Sequence, residues 1–215
     1  MPVVVTVAQL KGGVGKTTLA VALAAELARR NSSSALIDAD PQRSATQWAL
    51  PGRLRCPVYE MPLDDRPVED WVRQTRTVAA EYLVVDSAPN AKTVIAPIAI
   101  SHLTVLPCTP SGLDLDGMAR TLEFFGTVRS RWPEKRCVIV PNRVDSRTLE
   151  GRQFLEELAG FGQIVGPSIG NRVAFVRAFA SGQSVADFEP RGPAAEEVGR
   201  LCDFLCRELQ LGRNL

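Results

Sequence analysis

The stretch VVVTVAQLKGGVGKTT, Val3 to Thr18, constrains the fold more than any other part of the 215-residue chain. Val3 to Ala8 is an unbroken, mostly β-branched run, the pattern of a strand buried on both faces. Gly12, Gly13 and Gly15 follow around Val14. Glycines there allow backbone angles that side chains forbid and let amide N–H groups approach an oxyanion. Leu19, Leu23 and Leu27 then recur at helical spacing within Thr17 to Arg30. A helix N-terminus adds partial positive charge to the same loop. Strand, glycine loop, Lys16-Thr17-Thr18 and helix together form a phosphate cradle. In it Lys16 would reach the β- and γ-phosphates and the Thr17 hydroxyl would hold magnesium. The G-x-G-x-x-G spacing of a dinucleotide loop is missing.

The remaining pattern predicts how that loop is framed. Ala35 to Ile37, ending at Asp38, and YLVVD, Tyr82 to Asp86, read as buried strands. So do Leu103 to Pro107 and Cys137 to Asn142, with Pro57 to Met61 a weaker strand near an edge. Helical patterns cover Val68 to Ala80, Thr93 to Ile100, Leu115 to Arg131, Leu149 to Ala159 and Pro193 to Leu209. Alternating strands and helices predict an α/β fold, a mostly parallel twisted sheet with helices on both faces. One domain over 1–215 suits the 45% hydrophobic composition. Ligands of such sheets bind beyond the carboxyl ends of the strands, where Asp38, Asp86, Pro107 and Asn142 fall.

Charge and cysteine content remove several classes. A net charge of +1 gives no global basic field, so nucleic-acid or membrane binding needs a local patch. Five cysteines without a C-x-x-C pair read as reduced, mostly buried thiols of a cytosolic protein. Cys202 and Cys206 are four apart on a helix, but His102 is the chain's sole histidine, which argues against zinc. No secretory signal fits, and no apolar run reaches about 18 residues, the length that spans a bilayer.

The run K-G-G-V-G-K-T-T places Leu10 where the general phosphate-loop pattern has its first glycine, and a second lysine, Lys11, beside it. This resembles the deviant Walker A loop of the ParA/MinD family of P-loop ATPases, closest to the small ParA-type partition ATPases. The resemblance implies Mg-ATP as the ligand, with Lys11, Gly12, Gly13, Val14, Gly15, Lys16, Thr17 and Thr18 around it. It makes Lys11 the signature lysine, a cation lent across a homodimer to the nucleotide of the other copy, much as an arginine finger acts. DADPQRSATQW, Asp38 to Trp48, resembles the first switch. Asp40 would orient the attacking water, Asp38 would support the magnesium shell and the loop, and Ser44 would cap a short helix. YLVVDSAPN resembles the second switch, with Asp86 holding magnesium through water, although Asn90 stands where the family often has Gly or Pro. LPCTPSGLDLDG, Leu106 to Gly117, resembles a segment near the dimer interface. Asn142 matches a position that hydrogen-bonds adenine.

The same resemblance implies a slow, partner-stimulated ATP hydrolase that partitions or positions a plasmid, chromosome locus or protein cargo. A ParB-like or cargo adaptor would stimulate it, and nonspecific DNA would anchor it to the nucleoid. Candidate phosphate contacts are Arg143, Arg147, Arg152, Arg172 and Arg177, among which Asp145, Glu150, Glu156 and Glu157 are interspersed. With the first strand starting two residues after Met1, no helix-turn-helix is expected ahead of it. A MinD-like membrane ATPase is the alternative. The last helix opposes it: Val198, Leu201, Leu205 and Leu209 form one face while Glu196, Glu197, Asp203 and Glu208 offset its arginines. A redox ATPase like the nitrogenase iron protein would need cluster cysteines near the switches, where Cys108 is the one candidate. A nucleotide-binding scaffold with negligible hydrolysis fits the same motifs.

Overall fold

The computed structural model describes residues 2–64 and 66–213, with the side chain of Arg213 outside the description. Elements run β1 (Val3–Val7), α1 (Lys16–Arg29), β2 (Ser34–Asp38), α2 (Ser44–Ala49), β3 (Val58–Glu60), α3 (Val68–Thr75), β4 (Tyr82–Asp86) and α4 (Ala91–Ile100). They continue with β5 (Leu103–Cys108), α5 (Gly112–Arg131), β6 (Cys137–Val144), α6 (Leu149–Ala159), β7 (Ile164–Val165), β8 (Ile169–Gly170), α7 (Val173–Ser181), α8 (Val185–Phe188) and α9 (Pro193–Arg213). The strands stand in the order β3-β2-β4-β1-β5-β6-β7, with β8 paired to β6, and every pairing is parallel. This is the doubly covered parallel sheet that the alternation predicts.

Side-chain alternation divides the core. Val5, Val7, Leu36, Val84, Val105 and Val138 point to the face covered by α1 and α9. Val4, Ala35, Ile37, Leu83 and Val85 point to the other face, with Trp71 of α3 and Ala96 of α4. Leu106 and Ile139 continue that face with Met118 and Phe125 of α5. Leu19 and Leu23 of α1 are buried, and each such leucine stabilises the fold by about 2 kcal/mol. In α9, Val198, Leu201, Cys202 and Leu205 are buried in this core, so its apolar stripe is covered by the protein itself. Among the described residues no helix is long and apolar enough to cross a membrane.

Register places the special residues. Asp38 of β2 pairs with Asp86 of β4, and Asp86 pairs with Val7 of β1, from which the glycine loop departs. Three neighbouring strands therefore end level, with two carboxylates and the loop on one edge.

Several boundaries differ from the sequence reading, each for a local reason. The helix expected over Val68 to Ala80 stops at Thr75. There the Thr75 and Thr77 hydroxyls donate to the carbonyls of Val72 and Gln74, both at 2.8 Å, closing a turn. Asn90, the odd residue of the second switch, caps α4, its Oδ1 accepting from the Lys92 amide at 2.9 Å. Ser44 does not cap α2; it is the first helical residue, and Arg43 at φ 56° precedes it. The cysteines are all unpaired among the described residues, four buried and Cys206 half-buried.

Candidate functional site

The loop after β1 needs its glycines at two points. Gly13 and Gly15 sit at φ 82° and 92°, in the left-handed region that side chains avoid. Gly15 is also crowded: a Cβ there would overlap the amide nitrogen of Asn142. That nitrogen donates to the Val14 carbonyl at 2.8 Å, while Asn142 Oδ1 accepts from the Arg143 amide. Asn142 thus braces the loop from β6, and its amide is already engaged there.

The two lysines play different parts. Lys16 is buried, and its ammonium donates to the Lys11 carbonyl at 3.0 Å. Burial pulls its pKa below the ordinary lysine value, opposed by the charges of Asp86 and Asp40. Lys11 points elsewhere, pairing with Asp114 in the first turn of α5. Asp114 also accepts from the Thr109 hydroxyl. Burial pushes the Asp114 carboxyl up, but Lys11, Thr109 and Ser111 outweigh it and hold it below the usual carboxylate range.

The carboxylates divide similarly. Both Asp86 oxygens are buried without a hydrogen-bond partner among the described residues. Burial pushes this carboxyl up to about 7 against the pull of the Thr17 hydroxyl, with Asp38 adding to the rise and Lys16 opposing it. A buried carboxylate without partners is costly unless a cation or water completes it. Asp38 is occupied instead: its Oδ2 accepts from the amide and hydroxyl of Thr46, both at 2.8 Å, and its Oδ1 accepts from the Asp40 amide. It ties the loop after β2 to the first turn of α2. Asp40 is half-exposed and its Oδ1 accepts from the Gln42 amide. Among the described residues no three acidic, cysteine or histidine side chains converge as a direct metal shell. The donors that fit a hydrated magnesium ion are therefore the Thr17 hydroxyl and the orphaned Asp86 carboxylate.

Beside the loop a cavity of about 530 Å³ is lined by Thr17, Thr18, Gln47, Trp48, Asn142 and Phe179, among others. Trp48 and Phe179 meet edge to face at 5.1 Å, and the Trp48 indole donates to the Gln183 carbonyl at 2.9 Å. Sequence reading missed this wall, since α7 carries Val173, Val176 and Phe179 on its exposed side.

Four of the five arginines line adjoining cavities, and acidic residues hold two of them. Arg143, Arg147 and Arg172 line a cavity of about 490 Å³. Arg172 and Arg177 line the next one, and Arg152 lines neither. Arg147 is held by Asp145 and Arg172 by Glu197, whose other oxygen accepts from the Gly170 amide. Arg143, Arg152 and Arg177 carry no ion pair among the described residues.

Residues 5–185 match the family model described as the CobQ/CobB/MinD/ParA nucleotide binding domain. The chain belongs to this family. Among curated relatives, the chromosome-partitioning ATPase Soj of Thermus thermophilus is 30% identical over 241 residues, covering 96% of each chain. The maintenance of carboxysome distribution protein A of Halothiobacillus neapolitanus is 27% identical over 201 residues, covering 91% of this chain and 92% of that protein. A putative plasmid partition protein from Borrelia burgdorferi, solved bound to AMPPNP, superposes with a TM-score of 0.78 at 17% identity. The match covers 97% of this chain and 100% of that one, and it shows the shared fold.

Proposed function

We propose that the chain is a ParA-type positioning ATPase, a single ATPase domain that binds Mg-ATP, dimerises on it and attaches nonspecifically to DNA. The observation that carries this reading is the pairing of a glycine loop and buried Lys16 with the orphaned Asp86 carboxylate at the level ends of β1 and β4. ATP with magnesium supplies the scissile phosphoanhydride and a cation that draws charge from it. Main-chain amides from Gly12 to Thr18 and the Lys16 ammonium hold the phosphates. The Thr17 hydroxyl and, through water, Asp86 hold the metal. Asp38 keeps Asp40 and α2 in place, and Asp40 orients the attacking water. Asn142 braces the loop and borders the cavity beside it, which would take the base. Lys11 serves the nucleotide of the opposite copy.

Of the five candidates, Arg143, Arg152 and Arg177 have no ion pair among the described residues and meet DNA phosphates, and dimerisation doubles them, making attachment ATP-dependent through avidity. Release follows hydrolysis stimulated by a ParB-like or cargo adaptor, and the work is done in the cytoplasm on the nucleoid. The covered stripe of α9 supports this reading over a membrane-bound one. Sedimentation velocity with magnesium and a nonhydrolysable ATP analogue, with and without DNA, tests it. A dimer that binds DNA and loses it steeply with added salt is expected. A monomer at saturating nucleotide, or capture by liposomes in place of DNA, overturns it.

A further inference from the structure

Lys11 is docked within its own chain. Its ammonium pairs with Asp114 Oδ1, and its methylene stem lies against Gly117, one turn further along α5. A Cβ at Gly117 would stand 3.2 Å from Lys11 Cδ and 3.3 Å from its Cβ, so the stem lies close against the bare helix surface there. Asp114 is fixed in turn. It is 8% exposed, its Oδ2 accepts from the Thr109 hydroxyl, and its amide is capped by Ser111 at 3.2 Å. One carboxylate oxygen is thereby held by the loop after β5, and the other faces Lys11. A carboxylate this buried is costly to leave without its cation, so the docked state of Lys11 has a definite stabilising partner. A lysine meant only for solvent would need neither the carboxylate nor the bare surface beside it.

We propose that Asp114 is a positioning residue that parks Lys11 in cis, and that Lys11 must leave it before reaching a second copy's nucleotide. The second half rests on the dimer reading above; the first half does not. Two parked lysines must be released for each dimer. The pair therefore sets a threshold of nucleotide charge: only a site dense enough in phosphate draws Lys11 away from a carboxylate that already neutralises it.

The chain has four lysines, Lys11, Lys16, Lys92 and Lys135, which makes the parked state readable in solution. The nucleotide-free full chain is treated with a limiting amine-acylating ester, and each lysine is followed by mass spectrometry against exposed Lys92. Lys11 is expected to react several-fold more slowly than Lys92 in the parent chain, and at a similar rate in Asp114→Asn. Asp114→Ser, which also removes the carboxylate, is expected to expose Lys11 in the same way and serves if the first variant fails to fold. Asp114→Glu is expected to restore part of the protection. Equal Lys11 and Lys92 rates in the parent chain overturn the parking.

In sedimentation velocity, Asp114→Asn is expected to dimerise at an ATP-analogue concentration about threefold or more below the parent's, the scale of a part-exposed ion pair broken in two copies. An unchanged or higher requirement overturns the threshold. If no version dimerises at any nucleotide concentration, the dimer reading falls and the threshold with it, while the acylation result still decides the parking.

Discussion

Asn142 and Gly15 are fitted to each other: the Asn142 amide nitrogen occupies the space a Gly15 side chain would need, and it donates to the neighbouring Val14 carbonyl. Gly15→Ala would meet both this overlap and the strain of φ 92°. Loss of nucleotide binding is expected, measured with a fluorescent ATP analogue. Asn142→Asp removes the donor and sets a negative charge beside the phosphates. At least tenfold weaker binding is expected, and an unchanged Kd would show that the brace is idle.

The two lysines should separate in mutation. Lys16→Ala removes the one ammonium buried in the loop and is expected to abolish the thermal shift produced by Mg-ATP. Lys11→Ala leaves the loop main chain intact, so binding is largely kept while dimerisation and turnover are lost. Turnover at the parent rate would remove Lys11 from any in-trans role.

Asp86 makes a prediction of unusual sign. Replacing most buried ionisable groups costs stability, but here the cost of burial outweighs what the Thr17 hydroxyl and Lys16 give the carboxylate, and neither oxygen meets a donor at hydrogen-bonding distance among the described residues. Asp86→Asn is therefore expected to leave the melting temperature of the nucleotide-free protein unchanged or higher. The additional stabilisation by magnesium over ATP alone should disappear. A large loss of stability without nucleotide would mean that a partner holds this group.

The arginines divide into free and engaged. Arg143→Ala and Arg177→Ala should weaken DNA binding, each reducing the slope of log K against log salt by about 0.9 for every phosphate the side chain had neutralised. Arg172→Ala instead unseats Glu197 and, through it, the Gly170 amide, so its effect should appear first as lower stability. Equal DNA affinity in an Arg143 and Arg177 double variant would move the DNA surface elsewhere.

Glu26 gives a pH test. It is fully buried on α1, and Arg29 and Arg30 donate to it at 2.7 and 2.8 Å. Burial pushes its carboxyl up, but the two arginines outweigh that and hold it below its usual value. A depressed carboxyl stabilises the fold above its unfolded pKa, and that contribution is lost as the pH falls through the folded value. Glu26→Gln is expected to cost about 1–3 kcal/mol at neutral pH. The gap between the two proteins should narrow progressively below pH 4.5, the unfolded reference. A gap that persists unchanged in acid would contradict the ion pair.

Long periodic segments were legible in the sequence because burial on both faces demands them. The runs at β1, β4, β5 and β6 could hardly be anything but central strands, and the glycine loop could sit only between β1 and α1. β7 and β8 have two residues each, too few for any periodicity to register. α7 was obscured because its exposed side carries Val173, Val176 and Phe179, which blurs the contrast between faces. The roles of the acidic residues depended on register and neighbours. Asp38 and Asp86 read alike as strand-terminal aspartates, yet Thr46 satisfies one and nothing described satisfies the other. Lys11 and Asp114 lie 103 positions apart, a pairing no local pattern announces.

The edge-to-face pair of Trp48 and Phe179 gives this molecule a built-in light meter. Of its three indoles, Trp71 is sealed in the core beneath α3, whereas Trp48 forms the wall of the cavity beside Thr17 and Thr18. Whatever enters that cavity changes the surroundings of an emitter already wired to the first switch through α2, so its filling can be timed without attaching a dye.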